Sequence, residues 1–368
     1  MSELRICCLC NIGPHYDFPL YQLMGEVFHC DFYLGDKLPY QLKTFEYTSL
    51  NGFKGKLHNH FIHHFYWQSG VIRQLFAPYR FYIMNGEPFC LSTWLFLLLS
   101  KLTNKKVIGW THGWYGREGI IKGNIKRRFF KLFDKLLVYN DYSINLLKQQ
   151  GIDKSRLFCF ANSLDSDRIK TIRKQISDTD IYRSHFGNDN PVLIYCGRIQ
   201  KRKRLDLLIN CLERLNQEGF PTNLMMVGAD DEGTGIDRLV KEKGLTDKVW
   251  SYGPCFDERL LGEFFSSATV CISPGNVGLT AIHSLSYGCP VITHGDFPYQ
   301  MPEFEAIRPN ITGAFFKRDD INDMTETIKK WIESYRHNRD QIRQQAYDEI
   351  DKKWNIHYQI EVLKRVLI

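Results

Sequence analysis

Short apolar runs alternate with segments of helical period along most of the chain. In the first half the apolar runs predict strands at 5–10, 81–84, 106–109 and 135–138. Segments with apolar residues three and four apart predict helices at 18–27, 68–76 and 91–102. This alternation is typical of parallel α/β units.

The pattern breaks at a polar, charged stretch after about residue 165 and resumes with a fresh strand after Pro191. Strands are predicted at VLIYCG, NLMMVG, VWSYG, TVCIS and PVITH, with helices at 204–219, 236–243 and 258–266. We therefore predict an α/β protein with two Rossmann-like, doubly wound domains at 1–168 and 169–340, facing a cleft. A helical segment at 341–368 is expected to cross back to the first domain. Ligands of such folds bind where the carboxyl ends of the strands face the cleft.

Composition narrows the class of protein. The 368 residues are enough for about two domains, and 43% hydrophobic with 24% charged residues is typical of a globular chain. The formal charge of +7 is modest, and we expect no nucleic-acid partner. The start of the chain does not resemble a signal peptide, the longest uncharged run is too short for a membrane span, and 11 cysteines indicate reduced thiols. We expect a cytoplasmic protein.

Three loops at predicted strand ends in the second half carry candidate phosphate-binding groups. The first, in CGRIQKRKRLDLLI, places Arg198 and Lys203 after Gly197, and the second is VGADDEGTG. The third, SPGNVGLTAIHSLSYGCPVI, places the amides of three residues at a helix start: Gly278, Leu279 and Thr280. Amides at such a position attract anions, and two nearby cations would neutralise a diphosphate. Neither a P-loop nor a G-x-G-x-x-G fingerprint is present.

These motifs closely resemble the nucleotide-binding domain of GT-B glycosyltransferases of the large retaining family 4. The matching stretches are YCGRIQKRKRLDLLI, MMVGADDEG, SYGP, SPGNVGLTAIHSLSYGCPVITHGD, Glu303 in MPEFEAI, and NITGAFF, over about residues 190–320. A looser match covers Asn162 and Asp165 in CFANSLDSDR, and WTHGW in the first half. The resemblance implies a GT-B fold with acceptor-binding first and nucleotide-sugar-binding second domains, retention of configuration, and no cofactor or metal.

The resemblance also implies residue roles. His112, Arg198 and Lys203 would be catalytic, the two cations holding the donor diphosphate and stabilising the leaving group. Donor-binding residues would be Gly197, Tyr252, Gly253, Asn276, Val277, Gly278, Leu279, Thr280 and His283. For the acceptor, we predict Gly13, His15 and Tyr16 in the loop after the first strand, and Glu87 after another strand as a contact or base. The function implied is hexose transfer from a nucleotide diphosphate sugar, of the UDP or GDP type, to a glycan or lipid-linked glycan, as in capsule or O-antigen assembly.

Two positions depart from the family pattern. The family carries one glutamate that touches the donor sugar and a second that binds the ribose hydroxyls, and at these two positions this chain has Gly275 and His283. The imidazole can still bond a hydroxyl group, whereas Gly275 has no side chain to contact a sugar. Two alternatives therefore stay open: a catalytically impaired sugar-nucleotide-binding protein of a polysaccharide assembly complex, and a GT-B sugar-nucleotide epimerase.

Segment 124–135 has basic and apolar residues at helical spacing. We predict a peripheral contact with an anionic inner membrane surface, through Lys126, Arg127, Arg128 and Lys131, or plain packing of this helix on its sheet, or both together. Two further groups are weak metal candidates: four histidines in HNHFIHHF, of which His60 and His64 would share a face if helical, and the pair Cys7 and Cys10. We interpret both groups as structural, and expect a strand or loop at the histidines.

Overall fold

The computed structural model describes residues 5–40, 42–177 and 179–367. The chain divides into two compact units. The first ends at Asp165 and takes up the chain again from Asn355, and the second is Ser166–Trp354. Each unit has its own sheet with helices on both faces, so each follows the predicted α/β class.

The sheet of the first unit has the strand order β4-β3-β2-β1-β5-β6-β7-β8. All neighbours are parallel except β3 and β4, which form an antiparallel hairpin. The strands are β1 (Ile6–Cys10), β2 (Asp31–Gly35), β3 (Phe53–Ile62), β4 (Phe65–Ser69), β5 (Phe81–Asn85), β6 (Lys106–Thr111), β7 (Lys135–Val138) and β8 (Leu157–Cys159). The helices of this unit are α1 (Phe18–Phe28), α2 (Val71–Gln74), α3 (Leu91–Ser100), α4 (Ile120–Leu132), α5 (Asp141–Gln149) and α13 (Ile356–Val366).

Side chains of β1 alternate between two cores. Ile6, Cys8 and Cys10 join the core beneath α1 and α13, whereas Cys7 and Leu9 join the core beneath α2, α3 and α4. A strand buried on both faces reads as a continuous apolar run, which explains why β1, β5, β6 and β7 were predictable.

The predicted helix at 68–76 is wrong at its start. Residues 65–69 form β4, and α2 is limited to Val71–Gln74. Along β3 and β4 burial alternates with a period of two, with Leu57 and Asn59 buried and His58 and His60 exposed. Such alternation marks a half-buried strand pair. Sequence analysis allowed a strand or a loop at the histidines of β3, and it did not predict β2, β4 or the short β8.

The second unit has a six-stranded parallel sheet in the order β11-β10-β9-β12-β13-β14. Its strands are β9 (Val192–Cys196), β10 (Asn223–Val227), β11 (Val249–Gly253), β12 (Val270–Ser273), β13 (Val291–His294) and β14 (Gly313–Phe316). Its helices are α6 (Ser166–Arg173), α7 (Ile181–Phe186), α8 (Leu205–Gln217), α9 (Ile236–Glu242), α10 (Glu258–Ser267), α11 (Thr280–Ser286) and α12 (Ile321–Lys353). All five strands predicted here are present, and β14 completes the sheet.

The first boundary between the units, at Asp165/Ser166, lies close to the expected 168/169, whereas the second lies further along the chain than the expected 340/341. Helix α6 packs on α10 and α11, so the second unit begins at Ser166. Helix α12 continues to Lys353 with Ile342 in the core of the second unit, and the return to the first unit begins at Asn355 rather than at residue 341. Helix α13 then packs against α1 and β8.

All eleven cysteines are free thiols, as the sequence indicated. Cys7, Cys8 and Cys10 lie within buried β1, and burial raises the pKa of the Cys10 thiol to about 12. In the part of the chain that the structure describes, no helix has both the length and the apolar character needed to cross a bilayer.

Candidate functional site

The sheet of the second unit reverses its winding between β9 and β12. On one side the chain proceeds through β9, β10 and β11, and on the other through β12, β13 and β14. The loops after β9 and β12 therefore leave the same edge of the sheet side by side. A ligand of an open parallel sheet binds at such a switch point.

Contacts between these two loops bring several predicted donor residues together. The Lys203 Nζ donates a hydrogen bond of 2.5 Å to the carbonyl of Asn276. The Thr280 hydroxyl donates to the carbonyl of Cys196, just before Gly197, at 2.9 Å. The structure thus joins the β9 loop to the start of α11.

The two cations of the β9 loop differ in environment. Arg198 is exposed, whereas Lys203 is partly buried. Burial, followed by repulsion from Arg202, lowers the pKa of Lys203 to about 8, although the nearby Glu303 opposes this shift. A bound diphosphate would stabilise the ammonium form of Lys203, because its negative charges would compensate for the hydration that burial removes.

Gly275 has no space for a side chain. An added Cβ atom would lie 2.2 Å from the carbonyl oxygen of Arg202 and 2.8 Å from the Cα atom of Lys203. The Gly275 N–H also donates to the carbonyl of Lys203 at 3.0 Å. The glutamate of the family pattern is therefore sterically excluded here, because the turn carrying Lys203 occupies its place.

The Gln300 side chain holds the rest of the β12 loop in place through hydrogen bonds. The amide of Val277 donates to the Gln300 side chain at 2.9 Å, and the Gln300 amide donates to Thr293 and to the carbonyl of His294, each at 2.9 Å. Val277 is 1% exposed, so this predicted donor residue supports the loop from inside and does not line it. Gly278 has φ +57, and it lets the chain turn into α11 with Leu279 as N-cap.

His283 belongs to a polar cluster on the inner side of α11. Its Nε2 donates to Oε1 of Glu258 at 2.8 Å, and the Tyr287 hydroxyl donates to the same oxygen at 2.8 Å. Burial favours the neutral form of Glu258, but the hydrogen bonds and the charge of His283 outweigh it, and the pKa of Glu258 is lowered. A carboxylate therefore lies next to position 283 although none is encoded there.

The predicted donor-binding residues of β11 lie at the edge of the sheet. Tyr252 and Gly253 end β11, which is separated from β9 by β10. The Tyr252 ring packs on Phe264 and Trp250, at centroid distances of 5.0 and 5.7 Å, and remains 38% exposed. A flat aromatic surface is thus available near this strand end.

The first unit has its own switch point, between β1 and β5. Glu87, in the loop after β5, accepts hydrogen bonds from the Asn11 amide at 3.1 Å and the Tyr66 hydroxyl at 3.0 Å. Burial raises the pKa of Glu87, although both hydrogen bonds favour the carboxylate. A carboxylate with a raised pKa is a stronger base, and at a switch point it can accept a proton from a hydroxyl group of a ligand. This is the role of a base that was predicted for Glu87.

The other predicted acceptor residues follow β1. The Gly13 amide donates to the Tyr47 hydroxyl at 2.9 Å, and its Cα packs against aromatic rings. His15 is exposed and edge-on to Tyr16, with ring centroids 5.4 Å apart. His15 and Tyr16 thus form the part of this loop that can meet a ligand.

His112 follows β6, next to β5 in the sheet. Its ring packs on Tyr139 at a centroid distance of 4.9 Å, and its carbonyl accepts a bond from the Ser143 hydroxyl. Burial, followed by the charge of Lys126, lowers the pKa of His112 to about 4. The imidazole is therefore neutral near pH 7 and can form hydrogen bonds without carrying charge.

Lys126 does not face solvent, which corrects one member of the predicted membrane contact. It is 9% exposed, and its Nζ donates to Glu118 Oε1 at 2.6 Å while lying 5.3 Å from the Trp114 ring centroid. Arg128 and Lys131 are exposed, and Arg127 is partly exposed. The packing interpretation of α4 holds for its inner face.

The histidine run lies on the β3/β4 hairpin, which confirms a strand and excludes a shared helix face. His58 Nδ1 lies 3.1 Å from Oδ2 of Asp36, a carboxylate from another part of the chain. Among the described residues, no group of three potential metal ligands is present.

Residues 177–349 match the family model described as glycosyl transferases group 1. Among curated proteins, a D-inositol 3-phosphate glycosyltransferase of Thermobifida fusca is 24% identical over 216 residues, covering 55% of this chain and 48% of the relative. This chain thus spans about half the length of that relative.

Solved structures match over the whole chain. Anabaena HepE in complex with UDP aligns with a TM-score of 0.75 at 12% identity, covering 99% of both chains. The fold is GT-B. The apo form of the lipopolysaccharide outer core galactosyltransferase WaaB aligns with a TM-score of 0.69 at 14% identity, again over 99% of both chains. The family model thus matches just under half of the chain, and the solved structures show that the fold is shared.

Sequence analysis missed three residues of these sites. Glu258, Asn11 and Gln300 each reach a predicted position from a distant part of the chain. Glu258 opens a helix directly after the N-cap Asp257 and reads as an ordinary helix-start charge. No local signal identifies such partners, because only the packing of the helices sets the contact.

Proposed function

We propose that this protein is a glycosyltransferase that moves a hexose from a nucleotide diphosphate sugar to a glycan or lipid-linked glycan. The observation that carries the proposal is the junction of the β9 and β12 loops, where Lys203, with its lowered pKa, lies against Asn276 at the switch point. The match of residues 177–349 to a glycosyltransferase model supports the same reading.

In this proposal the cations of the β9 loop act on the diphosphate. Arg198 and Lys203 neutralise the departing nucleoside diphosphate, which lowers the barrier to breaking the sugar–phosphate bond. The donor needs no covalent attachment to the protein, and we propose retention of configuration without a metal or other cofactor. UDP is the first nucleotide to test, since HepE, which is similar in fold, has a solved structure in complex with UDP.

We further propose that Glu258 supplies the carboxylate for the ribose hydroxyls. By the resemblance, position 283 contacts the ribose, and here His283 holds Glu258 at 2.8 Å. The pair supports nucleotide binding without a glutamate at 283, because a carboxylate accepts hydrogen bonds from two adjacent hydroxyls.

On the acceptor side, Glu87, His15 and Tyr16 are proposed to contact the sugar, and His112 is proposed to form a neutral hydrogen bond to the transferred hexose. The lowered pKa of His112 supports the hydrogen-bonding role and argues against proton donation near neutral pH. We propose a cytoplasmic location with peripheral membrane contact through Arg127, Arg128 and Lys131, without Lys126.

One observation favours a second candidate, a sugar-nucleotide-binding protein without transfer activity. Because position 275 is glycine, the donor sugar lacks the carboxylate of the family pattern, and the crowding at this position leaves no room for a side chain. Binding would then survive while turnover is lost.

The test is thermal unfolding of the full chain with UDP, GDP, ADP, CMP and dTDP. A ligand at about 100 times its Kd adds about 2.7 kcal/mol, roughly 5–10 °C for a domain of this size. We expect one diphosphate to raise Tm, Arg198→Ala to abolish the rise, and the exposed Arg238→Ala on α9 to retain it. No shift with any nucleotide would contradict the proposal. A shift without sugar release from the matching donor, with or without acceptor, would favour the non-catalytic candidate.

A further inference from the structure

The outer face of α3 exposes a stripe of leucines. Leu91, Leu95 and Leu98 are 46%, 38% and 54% exposed, and Leu102, just beyond the helix, is 84% exposed. Their spacing of three and four residues places them along one line of the helix, directed away from the sheet. Large apolar patches of this kind usually mark an interaction surface.

Helix α4 extends this apolar surface. Trp94 of α3 packs on Phe129 of α4 at 4.9 Å, so the two helices lie side by side. On α4, Ile121 and Ile125 are 79% and 48% exposed on the flank nearer to α3, because they lie two turns and one turn, respectively, before Phe129. We call these exposed residues of α3 and α4, together with Leu102, the leucine face.

A groove of about 550 Å³ opens next to the leucine face. Its walls include Phe65, Phe89, Ile121 and Ile125, and Phe89 stands just before the first leucine of α3. Lys122 is at its rim, with Nζ 5.5 Å from the Phe89 ring centroid. Arg117, Glu118 and Lys126 also line this mostly apolar groove. Such a groove with cations at its edge matches a chain of methylene groups attached to an anionic head.

The charge of this region is strongly one-sided. Residues 91–132 contain nine Lys or Arg residues and one acidic residue, Glu118, a formal charge of +8, whereas the whole chain carries +7. Glu118 is itself paired with buried Lys126. Within residues 5–40, 42–177 and 179–367, the exposed Arg128 and Lys131 form no ion pair with a carboxylate. Lys101 and Lys106 pair with Asp134, just outside this segment, and the remaining positive charge lies beside the leucine face.

We propose that the leucine face inserts into an anionic lipid bilayer, with Lys122, Arg128 and Lys131 at the phosphate groups. The apolar side chains enter the boundary between headgroups and acyl chains, and the cations bind the lipid phosphates around them. This assigns the insertion to α3, whereas the sequence pattern had indicated α4 alone. The inference rests on the proposed function for its purpose, since it places the acceptor-binding unit where a lipid-linked sugar is found.

The test measures co-sedimentation of the full chain with phosphatidylcholine vesicles, with and without phosphatidylglycerol. We expect binding only to the anionic vesicles. Leu98→Gln/Leu102→Gln is expected to weaken partition about tenfold or more, from the apolar area withdrawn. Lys122→Gln/Arg128→Gln is expected to weaken it roughly 25-fold, at about fivefold per cation.

Matched controls lie on the opposite face of the same sheet. Val27→Gln on α1 removes an apolar side chain that is 41% exposed, and Lys364→Gln/Arg365→Gln on α13 removes two cations. Both should bind vesicles as the wild type does. Vesicle binding needs no nucleotide, so it can be measured independently of the proposed reaction. If the leucine variant loses vesicle binding but keeps the nucleotide-induced Tm shift, the loss is not caused by unfolding.

Three results would overturn the inference. The first is equal binding to neutral and anionic vesicles, and the second is a leucine variant that binds as the wild type does. The third is concentration-dependent dimerisation of the wild type that disappears in the leucine variant while no vesicles are bound, because the face would then join two copies of the chain.

Discussion

Gly275 provides the sharpest test of how the second unit is packed. Gly275→Ala would place a Cβ atom 2.2 Å from the Arg202 carbonyl oxygen, whereas ordinary contacts of this kind begin at 3.4 Å. The turn that carries Lys203 must therefore move by about 1 Å, or β12 must distort. The hydrogen bond from the Gly275 amide to the Lys203 carbonyl would be strained by either movement.

The expected loss of stability follows from these two effects. Overpacking costs about 1–3 kcal/mol, and a weakened backbone hydrogen bond about 1 kcal/mol more, giving a total of about 2–4 kcal/mol. At about 2–4 °C per kcal/mol for a domain of this size, Tm should fall by roughly 5–15 °C. Because Lys203 moves with the turn, affinity for the nucleotide should fall about tenfold or more. Gly275→Glu should be worse, not a restoration of the family glutamate.

The assay is thermal unfolding with and without the stabilising nucleotide. Gly295→Ala, at the end of neighbouring β13, is the control, since its added Cβ would lie no closer than 3.4 Å to any neighbour and its φ is ordinary. We expect the control to melt close to the wild type. A Gly275→Ala protein that melts with the control and binds nucleotide normally would refute the steric reasoning.

Three further predictions follow from the charged groups. Nucleotide affinity should be constant below about pH 8 and fall up to tenfold per pH unit above it, because the nucleotide binds the ammonium form of Lys203 and raises its lowered pKa in the complex. Isothermal titration calorimetry at several pH values checks this dependence, and Lys203→Met should not show it. Glu258→Gln should weaken nucleoside diphosphate binding several-fold, whereas inorganic pyrophosphate, which lacks ribose, should bind the variant as well as the wild type. An equal loss of affinity for both ligands would contradict a ribose contact at the pair of His283 and Glu258. Lys126→Met should lower stability by about 3–5 kcal/mol by stranding buried Glu118, and Lys126→Met/Glu118→Gln should recover most of it in urea unfolding.

The apolar pattern by itself determined the class of fold. Strands such as β1, β7 and β9 are buried on both faces and therefore appear as continuous apolar runs bounded by turns. The loops with Arg198, Lys203 and Gly278 were visible for a similar reason, since phosphate-type loops need glycine and cations at fixed distances from a strand end. Backbone geometry links such features to their neighbours in sequence.

Tertiary structure alone decided the features that join distant residues. The pairing of His283 with Glu258 spans two helices, and the exclusion of a side chain at Gly275 depends on a turn from another strand. Lys126 and Arg128 are equivalent in a list of basic residues, yet one is buried against Glu118 and the other is exposed. The leucine stripe of α3 resembled an ordinary core face, because helical period shows that a face is apolar but not what covers it. Contact and burial are set by how elements pack, and that packing is not a local property of the chain.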